Sequence, residues 1–320
     1  MTAPGLSRER ANPALAFVFP GQGSQKAGMG RALADRFAAA RDTFAEADDA
    51  LGFALSRLCF EGPEESLRLT EHTQPAILTV SIAAYRVLVA ETGLRPGALA
   101  GHSLGEWSAL VAAGALPFAD AVRLVRTRGR LMQEAVPVGT GAMAAVIGLD
   151  GPEVEAACRE AAQGEVVEPA NFNAPGQVVI AGHTGAVARA GEAAKARGAK
   201  RVLPLPVSAP FHCSLMRPAG EGLARALEGV SVRPLEVPVY SNVEAAPYPG
   251  ESSVKDLLVR QVSSPVRWDA VVRAMRAAGV TTVVEVGPGE VLVGLVKRID
   301  KGLETRHFDS PDELAAVAGR

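Results

Sequence analysis

Apolar positions in the first part of the chain fall into a short run, a long helical stretch and a second short run. Residues 14–19 form an apolar run of strand length that stops at a Pro-Gly turn, and residues 74–92 form a long apolar helix. A very short strand at 98–100 follows, and a turn at 101–105 leads into a helix at 104–113. This alternation of strands and helices is typical of an α/β domain.

The middle of the chain has a different order of elements. We predict strands at 142–149, 166–172, 177–182 and 200–207, and helices at 152–162 and 185–197. The resulting order, β-α-β-β-α-β, is that of the ferredoxin-like split unit. A Pro/Gly-rich hinge at 137–141 precedes this unit, and a Pro-rich segment at 204–210 follows it.

The α/β rhythm resumes after the middle unit. We predict strands at 237–242 and 282–286, helices at 254–261 and 266–278, and a turn at 287–289 that leads into a last helix. The chain is therefore expected to form a large, doubly wound α/β domain from residues 14–137 and 209–310, with a small ferredoxin-like domain inserted at 138–208. A catalytic cleft is expected between the two domains, and the last dozen residues are expected to form a peripheral tail.

Composition narrows the possible functions without identifying one. The 320 residues are 48% hydrophobic and carry a net charge of -2, which gives the whole molecule no attraction for nucleic acid or membranes. Three cysteines without paired spacing (Cys59, Cys158 and Cys213) argue against a disulfide framework or a zinc site. The polar start at 1–13 does not resemble a signal peptide, and no window approaches the roughly 20 apolar residues of a membrane span. We therefore expect a soluble, cytoplasmic protein.

The turn Gly101-His102-Ser103-Leu104-Gly105 has the Gly-x-Ser-x-Gly pattern of a nucleophile elbow. Such a turn places the serine at its exposed tip, because the flanking glycines let the backbone pass close to neighbouring elements. The backbone N–H of Leu104 then faces the position where an oxyanion would form, at the positive end of the following helix. The pattern indicates a serine-dependent enzyme, although a chance Gly/Ser turn would give the same residues in a chain with 33 glycines.

A serine nucleophile needs a base, and the chain has five histidines. Four of them fit other roles: a surface or capping position (His72), the start of a small-domain helix (His183), the tail (His307) and a supporting hydrogen bond beside the serine (His102). His212 remains, because it lies where the chain re-enters the large domain beside the expected cleft. No acidic partner for His212 stands out in the sequence, and a buried structural histidine is an equally good interpretation of it.

One arginine lies on the apolar face of a predicted helix. The apolar positions of residues 118–134 share one face at 3.6 residues per turn, and Arg128 projects from within it. Arg123, Arg126 and Arg130 lie on the opposite, solvent side. An unpaired buried guanidinium is costly, so Arg128 must have an anionic partner. That partner is either an Asp or Glu of the chain or a substrate carboxylate held through two hydrogen bonds.

Several further segments match one family at matched spacing. They are Phe17-Val-Phe-Pro-Gly-Gln-Gly-Ser-Gln25, Gly101 to Glu106, Arg128-Gly129, Asn171-Phe-Asn-Ala-Pro-Gly-Gln177, Pro210-Phe-His212, Gln261 and Val284-Glu-Val-Gly-Pro-Gly289. Through them, roughly residues 14 to 300 resemble the bacterial malonyl-CoA:acyl carrier protein transacylases, the acyltransferases of type II fatty acid synthesis. The resemblance implies a hydrolase-like large α/β domain with a parallel sheet and an inserted ferredoxin-like (βαββαβ) small domain.

The resemblance also implies roles for the candidate site residues. Ser103 would carry the malonyl group as an ester, His212 would accept the proton of its hydroxyl, and Arg128 would bind the malonyl carboxylate. The backbone N–H groups of Gln22 and Leu104 would form the oxyanion hole.

Two more residues are expected to shape the site. By the resemblance, Gln261 orients His212 through its main-chain carbonyl, in place of a triad carboxylate. In related polyketide acyltransferases, Phe at the position of Phe211 accompanies malonyl and Ser accompanies methylmalonyl, although some fatty-acid enzymes carry Ser and still use malonyl. A ring at this position would hinder an extra methyl group by about 1–3 kcal/mol.

The implied reaction is ping-pong transfer from malonyl-CoA to the phosphopantetheine thiol of acyl carrier protein, with no metal or redox cofactor. An acidic carrier protein needs a basic docking surface. The candidates are three clusters: Arg123, Arg126 and Arg130; Arg189, Lys195, Arg197, Lys200 and Arg201; and Lys297 with Arg298. We expect at least one of them to bind carrier protein, although each is also explained as a solvated face.

Two other functions fit the same elbow. In a serine hydrolase or thioesterase, water rather than a thiol would attack the acyl-enzyme. A non-catalytic module that binds acyl-thioesters would form no covalent adduct on Ser103.

Overall fold

The computed structural model describes residues 11–207 and 209–319. Most of the polar start of the chain and position 208, at the expected domain boundary, therefore lie outside the described residues.

The helices and strands follow the predicted alternation. The first part contains β1 (Asn12–Phe19), α1 (Arg31–Arg36), α2 (Ala38–Leu51), α3 (Leu55–Glu61), α4 (Glu64–Leu67), α5 (Thr70–Thr92), β2 (Pro96–Gly101), α6 (Leu104–Ala112) and α7 (Phe118–Glu134). The middle contains β3 (Gly141–Ile147), α8 (Gly151–Ala162), β4 (Val167–Ala174), β5 (Gln177–His183), α9 (Thr184–Ala196) and β6 (Arg201–Pro204). The last part contains α10 (Arg217–Leu227), β7 (Val239–Tyr240), α11 (Val254–Val262), α12 (Trp268–Ala277), β8 (Thr282–Val286), α13 (Val291–Ile299), β9 (Glu304–Phe308) and α14 (Leu314–Val317), with 3₁₀ turns at Ser214–Met216, Glu251–Ser253 and Pro311–Glu313.

Two separate sheets confirm the predicted fold class. Five strands form a parallel sheet in the order β7-β2-β1-β8-β9. The four strands of the middle part form an antiparallel sheet in the order β4-β5-β3-β6. With α8 and α9 between them, these four strands have the predicted β-α-β-β-α-β order of a ferredoxin-like unit.

Strand β1 lies at the centre of the parallel sheet and contributes to a core on each face. Leu15, Phe17 and Phe19 belong to the larger core, which includes residues of α5, α6 and α7. Ala16 and Val18 belong to a second core with residues of α12 and α13. Because the sheet is covered on both faces, its central strand is a continuous apolar run rather than an alternating one.

Helix α5 is longer than predicted. It begins at Thr70 and runs through Pro75, which cannot donate a backbone hydrogen bond to the carbonyl of Glu71. Its length and mean hydropathy of 1.3 would suit a membrane span, contrary to the expectation that no such stretch exists. However, 89% of its apolar window is buried inside the protein, as in the core helix of a folded domain.

The segment just before the last dozen residues forms a strand that was not predicted, so the placement of His307 in a tail is wrong. Strand β9, which contains His307, pairs with β8 at the edge of the parallel sheet. Phe308 and Val317 are buried in the larger core. The sequence Glu-Thr-Arg-His-Phe shows little apolar character because an edge strand is less completely covered than a central one.

The turn between β2 and α6 has the geometry of a nucleophile elbow. Ser103 has a φ of 50° and a ψ of -101°, a backbone conformation that is strained for a residue with a side chain. Glycine is required on both sides of it. A Cβ on Gly101 would lie 1.9 Å from the carbonyl carbon of Gly105, and a Cβ on Gly105 would lie 2.0 Å from the carbonyl oxygen of Phe19.

We expect Gly101→Ala to lower the free energy of unfolding by about 3 kcal/mol, because backbone atoms of the elbow must move to admit the methyl group. Urea denaturation followed by circular dichroism measures this change. Gly294→Ala in α13 is the matched control, since nothing lies within 4 Å of the added Cβ. There the better helix propensity of alanine should stabilise the protein by about 0.5–1 kcal/mol. Equal midpoints for the two variants would contradict the packing argument.

Candidate active site

Ser103 lies where β2 ends and α6 begins, with two functional groups next to its hydroxyl. Ser103 Oγ is 2.7 Å from Nε2 of His212 and 3.0 Å from Nη2 of Arg128. These residues come from three separate segments of the chain. The structure thus brings together the serine, the histidine and the arginine that the sequence analysis selected.

His212 is held from its other side by the backbone. Its Nδ1 lies 2.9 Å from the carbonyl oxygen of Gln261. Since a carbonyl only accepts, Nδ1 carries the proton and Nε2 faces the hydroxyl of Ser103 as an acceptor. Burial, followed by the charge of Arg128, lowers the pKa of His212 to about 3. The imidazole is therefore neutral in the free protein and able to accept a proton.

Arg128 is buried, with 2% of its surface exposed. Its Nη1 donates to Oε1 of Gln74 at 2.8 Å, and its Nη2 donates to Oε1 of Gln261 at 3.0 Å as well as to Ser103. Among the described residues, no carboxylate forms an ion pair with Arg128, and its Nε has no hydrogen-bond partner. Burial lowers its pKa to about 10, against the opposing charge of Glu106, so the side chain remains a cation at neutral pH. A cation that contacts only neutral acceptors can still bind a carboxylate.

A buried acid in this site was not predicted from the sequence. Glu106 lies in the first turn of α6 and is fully buried. Its Oε2 accepts from the backbone N–H of Asn242 at 3.0 Å and from Nε2 of Gln261 at 2.7 Å, and its Oε1 accepts from the hydroxyl of Tyr248. The sequence feature that could have indicated this acid is a glutamate three positions after Ser103, in a helix that is mostly apolar.

Asn242 was also missed. Its Oδ1 accepts from the backbone N–H of Ser103 at 2.7 Å, and its Nδ2 donates to the carbonyl of Gly101 at 2.7 Å. One side chain therefore satisfies the elbow backbone on both sides of His102. A single asparagine after a short strand gave no sequence signal for this contact.

Ser103 faces a cavity of about 610 Å³. Its lining includes the expected residues Gln22, His102, Leu104, Arg128, Phe211 and His212. Met143 of β3 and Asn171 of β4 also line it, so the antiparallel sheet supplies part of the cavity wall.

The two expected oxyanion donors lie at the same cavity. Leu104 is the first residue of α6, where a backbone N–H has no carbonyl of its own helix to bond. Gln22 follows β1, and its side-chain Nε2 donates to Oγ1 of Thr70 at 3.3 Å. The side-chain contact holds the Gln22 loop against the start of α5.

The other histidines have structural partners. His102 Nε2 lies 2.8 Å from Oδ1 of Asn173 in β4, which is the supporting hydrogen bond expected for it, and burial lowers its pKa. His72 Nδ1 lies 3.0 Å from the carbonyl oxygen of Ser66. His183 Nδ1 accepts from the backbone N–H of Val166 at 3.0 Å.

His307 belongs to a cluster outside the cavity that was not predicted. Potential ligand atoms of Glu290, His307 and Glu313 lie within 4.8 Å of one another. The two ring nitrogens of His307 already face Oε1 of Glu313 at 3.0 Å and the carbonyl of Gly287 at 3.1 Å. Although burial alone would lower the pKa of His307, the carboxylates of Glu313 and Asp309 raise it. The cluster is thus explained as a charged hydrogen-bonded contact between β9 and the following segment.

Comparisons with known proteins agree with this geometry. The family model of the acyl transferase domain matches residues 16–318. The malonyl CoA-acyl carrier protein transacylase of Escherichia coli (strain K12) is 54% identical, over 95% of this chain and 98% of its own length. That of Bacillus subtilis (strain 168) is 48% identical, over 94% and 95%.

Solved structures show the same relationship. An acyl carrier protein S-malonyltransferase from Vibrio cholerae has a TM-score of 0.93 at 52% identity, covering 95% of this chain and 99% of that chain. A malonyl-transacylase solved in complex with its type II PKS acyl-carrier protein has a TM-score of 0.93 at 50% identity, and the match covers 96% of this chain and 99% of that chain. The chain therefore belongs to the acyl transferase domain family, among the malonyl CoA-acyl carrier protein transacylases.

Proposed function

We propose that this protein transfers the malonyl group from malonyl-CoA to the phosphopantetheine thiol of acyl carrier protein, through a malonyl ester on Ser103. One observation carries the choice of acyl group: the buried cation of Arg128 lies 3.0 Å from Ser103 Oγ and has no carboxylate partner among the described residues. A guanidinium so close to the nucleophile suits an acyl group that ends in a carboxylate.

The first half-reaction forms the ester. His212 Nε2 takes the proton of Ser103 Oγ as the oxygen attacks the thioester carbonyl of malonyl-CoA. The backbone N–H groups of Leu104 and Gln22 stabilise the oxyanion of the tetrahedral intermediate. The C–S bond then breaks, the CoA sulfur leaves with the proton held by His212, and the malonyl group remains on Ser103.

The second half-reaction reverses these steps with a new thiol. His212 takes the proton of the phosphopantetheine thiol as its sulfur attacks the ester carbonyl. The C–O bond to Ser103 breaks, and the oxygen recovers the proton from His212. The malonyl group leaves as a thioester of the carrier protein, and the protein is ready for the next malonyl-CoA. This ping-pong sequence supplies malonyl units for fatty acid biosynthesis, and we place it in the cytoplasm.

Phe211 contributes to the choice among carboxylated acyl groups. It is buried, lines the cavity and precedes the histidine that acts on Ser103. Its ring restricts the space beside the substrate α-carbon and so disfavours a branched malonyl group.

The transfer reaction is tested by mixing the protein with malonyl-CoA, with and without phosphopantetheinylated carrier protein. We expect an adduct of malonyl mass on Ser103 in the intact protein, and malonyl-carrier protein as the main product when carrier is present. Ser103→Ala should lower turnover by more than about 1,000-fold and abolish the adduct. Absence of the adduct would leave only a binding module, and free malonate as the main product in the presence of carrier would indicate a thioesterase.

The arginine assignment predicts a change of acyl preference. Arg128→Ala should lower kcat/KM for malonyl-CoA by about 100-fold or more, because it removes a charge-assisted contact to the carboxylate. The loss for acetyl-CoA should be much smaller, so the acetyl-to-malonyl ratio rises. Arg130→Ala, on the exposed face of the same helix, is the matched control and should leave both values unchanged. Equal losses for both substrates would favour a purely structural role for Arg128.

Ion pairs occupy part of two of the three candidate docking clusters, although Arg130 in the first and Lys200 and Arg201 in the second form none among the described residues. In the second cluster, Arg189, Lys195 and Arg197 each pair with a glutamate. In the first cluster, Arg123 pairs with Asp120.

The third cluster is better placed for docking. Lys297 and Arg298 are exposed and have no ion pair among the described residues. Arg298 Nη1 donates to Oε1 of Gln177 at 2.6 Å, and Gln177 of β5 pairs with Ala174 of β4. The residue before Ala174 is Asn173, whose side chain bonds to His102 in the elbow. This short series of contacts connects the cluster to the elbow.

We therefore expect Lys297→Glu with Arg298→Glu to raise the KM for carrier protein by about 10-fold and to weaken its dependence on salt. Acylation of Ser103 by malonyl-CoA, measured without carrier, serves as the internal control and should not change. If charge reversal of all three clusters leaves the carrier KM and its salt dependence unchanged, the docking proposal fails.

A further inference from the structure

Glu106 is a buried acid that none of the steps above uses. It lies beneath the nucleophile and receives hydrogen bonds from three donors: the backbone N–H of Asn242, Nε2 of Gln261 and the hydroxyl of Tyr248. An ionised carboxylate only accepts, so this arrangement of donors suits the charged form. A carboxylate that is buried and bound by three donors calls for a functional explanation.

Gln261 connects this acid with every reactive group of the site. Its side-chain Nε2 donates to the carbonyl of Ser103 at 3.0 Å, and its main-chain carbonyl accepts from Nδ1 of His212. Its side-chain Oε1 accepts from Arg128 at 3.0 Å. A shift of Gln261 would therefore displace the nucleophile, the base and the arginine together.

Glu106 and Arg128 determine which way the amide of Gln261 points. An amide presents a donor on one side and an acceptor on the other. Glu106 can only accept on the Nε2 side, and Arg128 can only donate on the Oε1 side, so a flipped amide would lose both contacts. The carbonyl of Ser103 is the other acceptor on the Nε2 side, so loss of the acceptor on Glu106 removes one of these three contacts that fix the amide.

We propose that Glu106 is a positioning residue: through the side-chain amide of Gln261 it holds Ser103 and Arg128, while the main-chain carbonyl of Gln261 takes the place of a triad acid on His212. The negative charge of Glu106 offsets the buried charge of Arg128 and favours the imidazolium that forms when His212 takes the serine proton. This inference rests on the proposed acyl transfer and adds a distinct role to it.

Glu106 also gives the reaction a pH dependence that His212 does not. Burial raises the pKa of Glu106 to about 7, although the hydrogen bonds from Tyr248, Asn242 and Gln261 and the charge of Arg128 lower it. These are the groups that face the carboxylate from the elements packed around it. As the pH falls through this value, Glu106 gains a proton and loses an acceptor site, and the transfer rate declines.

The experiment measures kcat/KM for acylation by malonyl-CoA from about pH 5.5 to about pH 8.5. We expect the wild-type value to decline below about pH 7. Glu106→Gln can keep all three hydrogen bonds, because its oxygen accepts from Asn242 and Gln261 while its NH₂ donates to Tyr248. It should nevertheless lower kcat by roughly 10- to 100-fold, leave KM nearly unchanged and remove the acid decline.

Tyr248→Phe is the second variant and leaves the charge of Glu106 in place. It removes one donor to the carboxylate, so the acid decline should move to higher pH while the rate at high pH stays close to that of the wild type. Glu106→Gln with the wild-type rate, or with a pH profile of unchanged shape, would overturn the inference, and so would an unmoved profile in Tyr248→Phe. If the wild-type protein itself forms no malonyl adduct, the proposed acyl transfer fails. The failure of the proposed function is thereby distinguished from the failure of the role of Glu106.

Discussion

The site depends on the close packing of the elbow against the centre of the parallel sheet. Gly101 packs directly against the backbone of Gly105, and Gly105 packs against the carbonyl of Phe19. Strand β2 and helix α6 are therefore held in fixed positions relative to β1. Ser103 keeps its strained positive φ because β1 and β2 are buried around it and because Asn242 binds its N–H. A fixed backbone fixes the serine oxygen, and the base and the arginine are then arranged around it.

The second constraint is the buried charge of Arg128. Moving a guanidinium out of water is unfavourable unless strong acceptors surround it, and in the free protein Gln74, Gln261 and Ser103 supply neutral ones. The same charge helps to keep His212 neutral, which leaves it a base. A carboxylate substrate, as proposed for this site, would give Arg128 an anionic partner. An uncharged acyl group would leave Arg128 with neutral acceptors alone, so the proposed selectivity and the neutral state of His212 would have a common origin.

The sequence predicted those parts of the site that depend on local geometry. The turn pattern located Ser103, and helical periodicity placed Arg128 on the inner face of a helix whose bounds, Phe118–Glu134, agree with the prediction. His212 could not be separated from a structural histidine, because its segment has no periodicity. Glu106 and Asn242 could not be found, since their contact joins residues 136 positions apart and buried polar networks leave no repeating pattern. Strand β9 was missed for a related reason: an edge strand needs few apolar residues.

The antiparallel sheet is attached to the large unit at the cavity itself. The backbone of β4 exchanges hydrogen bonds with Val266, from Phe172 N–H to its carbonyl and from its N–H to the carbonyl of Ala170, both at 2.9 Å. Asn173 of the same strand bonds to His102, the neighbour of the nucleophile. A cavity wall held by these bonds to Val266 and His102 cannot move far without breaking them. The cavity is therefore largely preformed, and fixed walls are the condition under which the ring of Phe211 would discriminate, as proposed, between acyl groups that differ by one methyl.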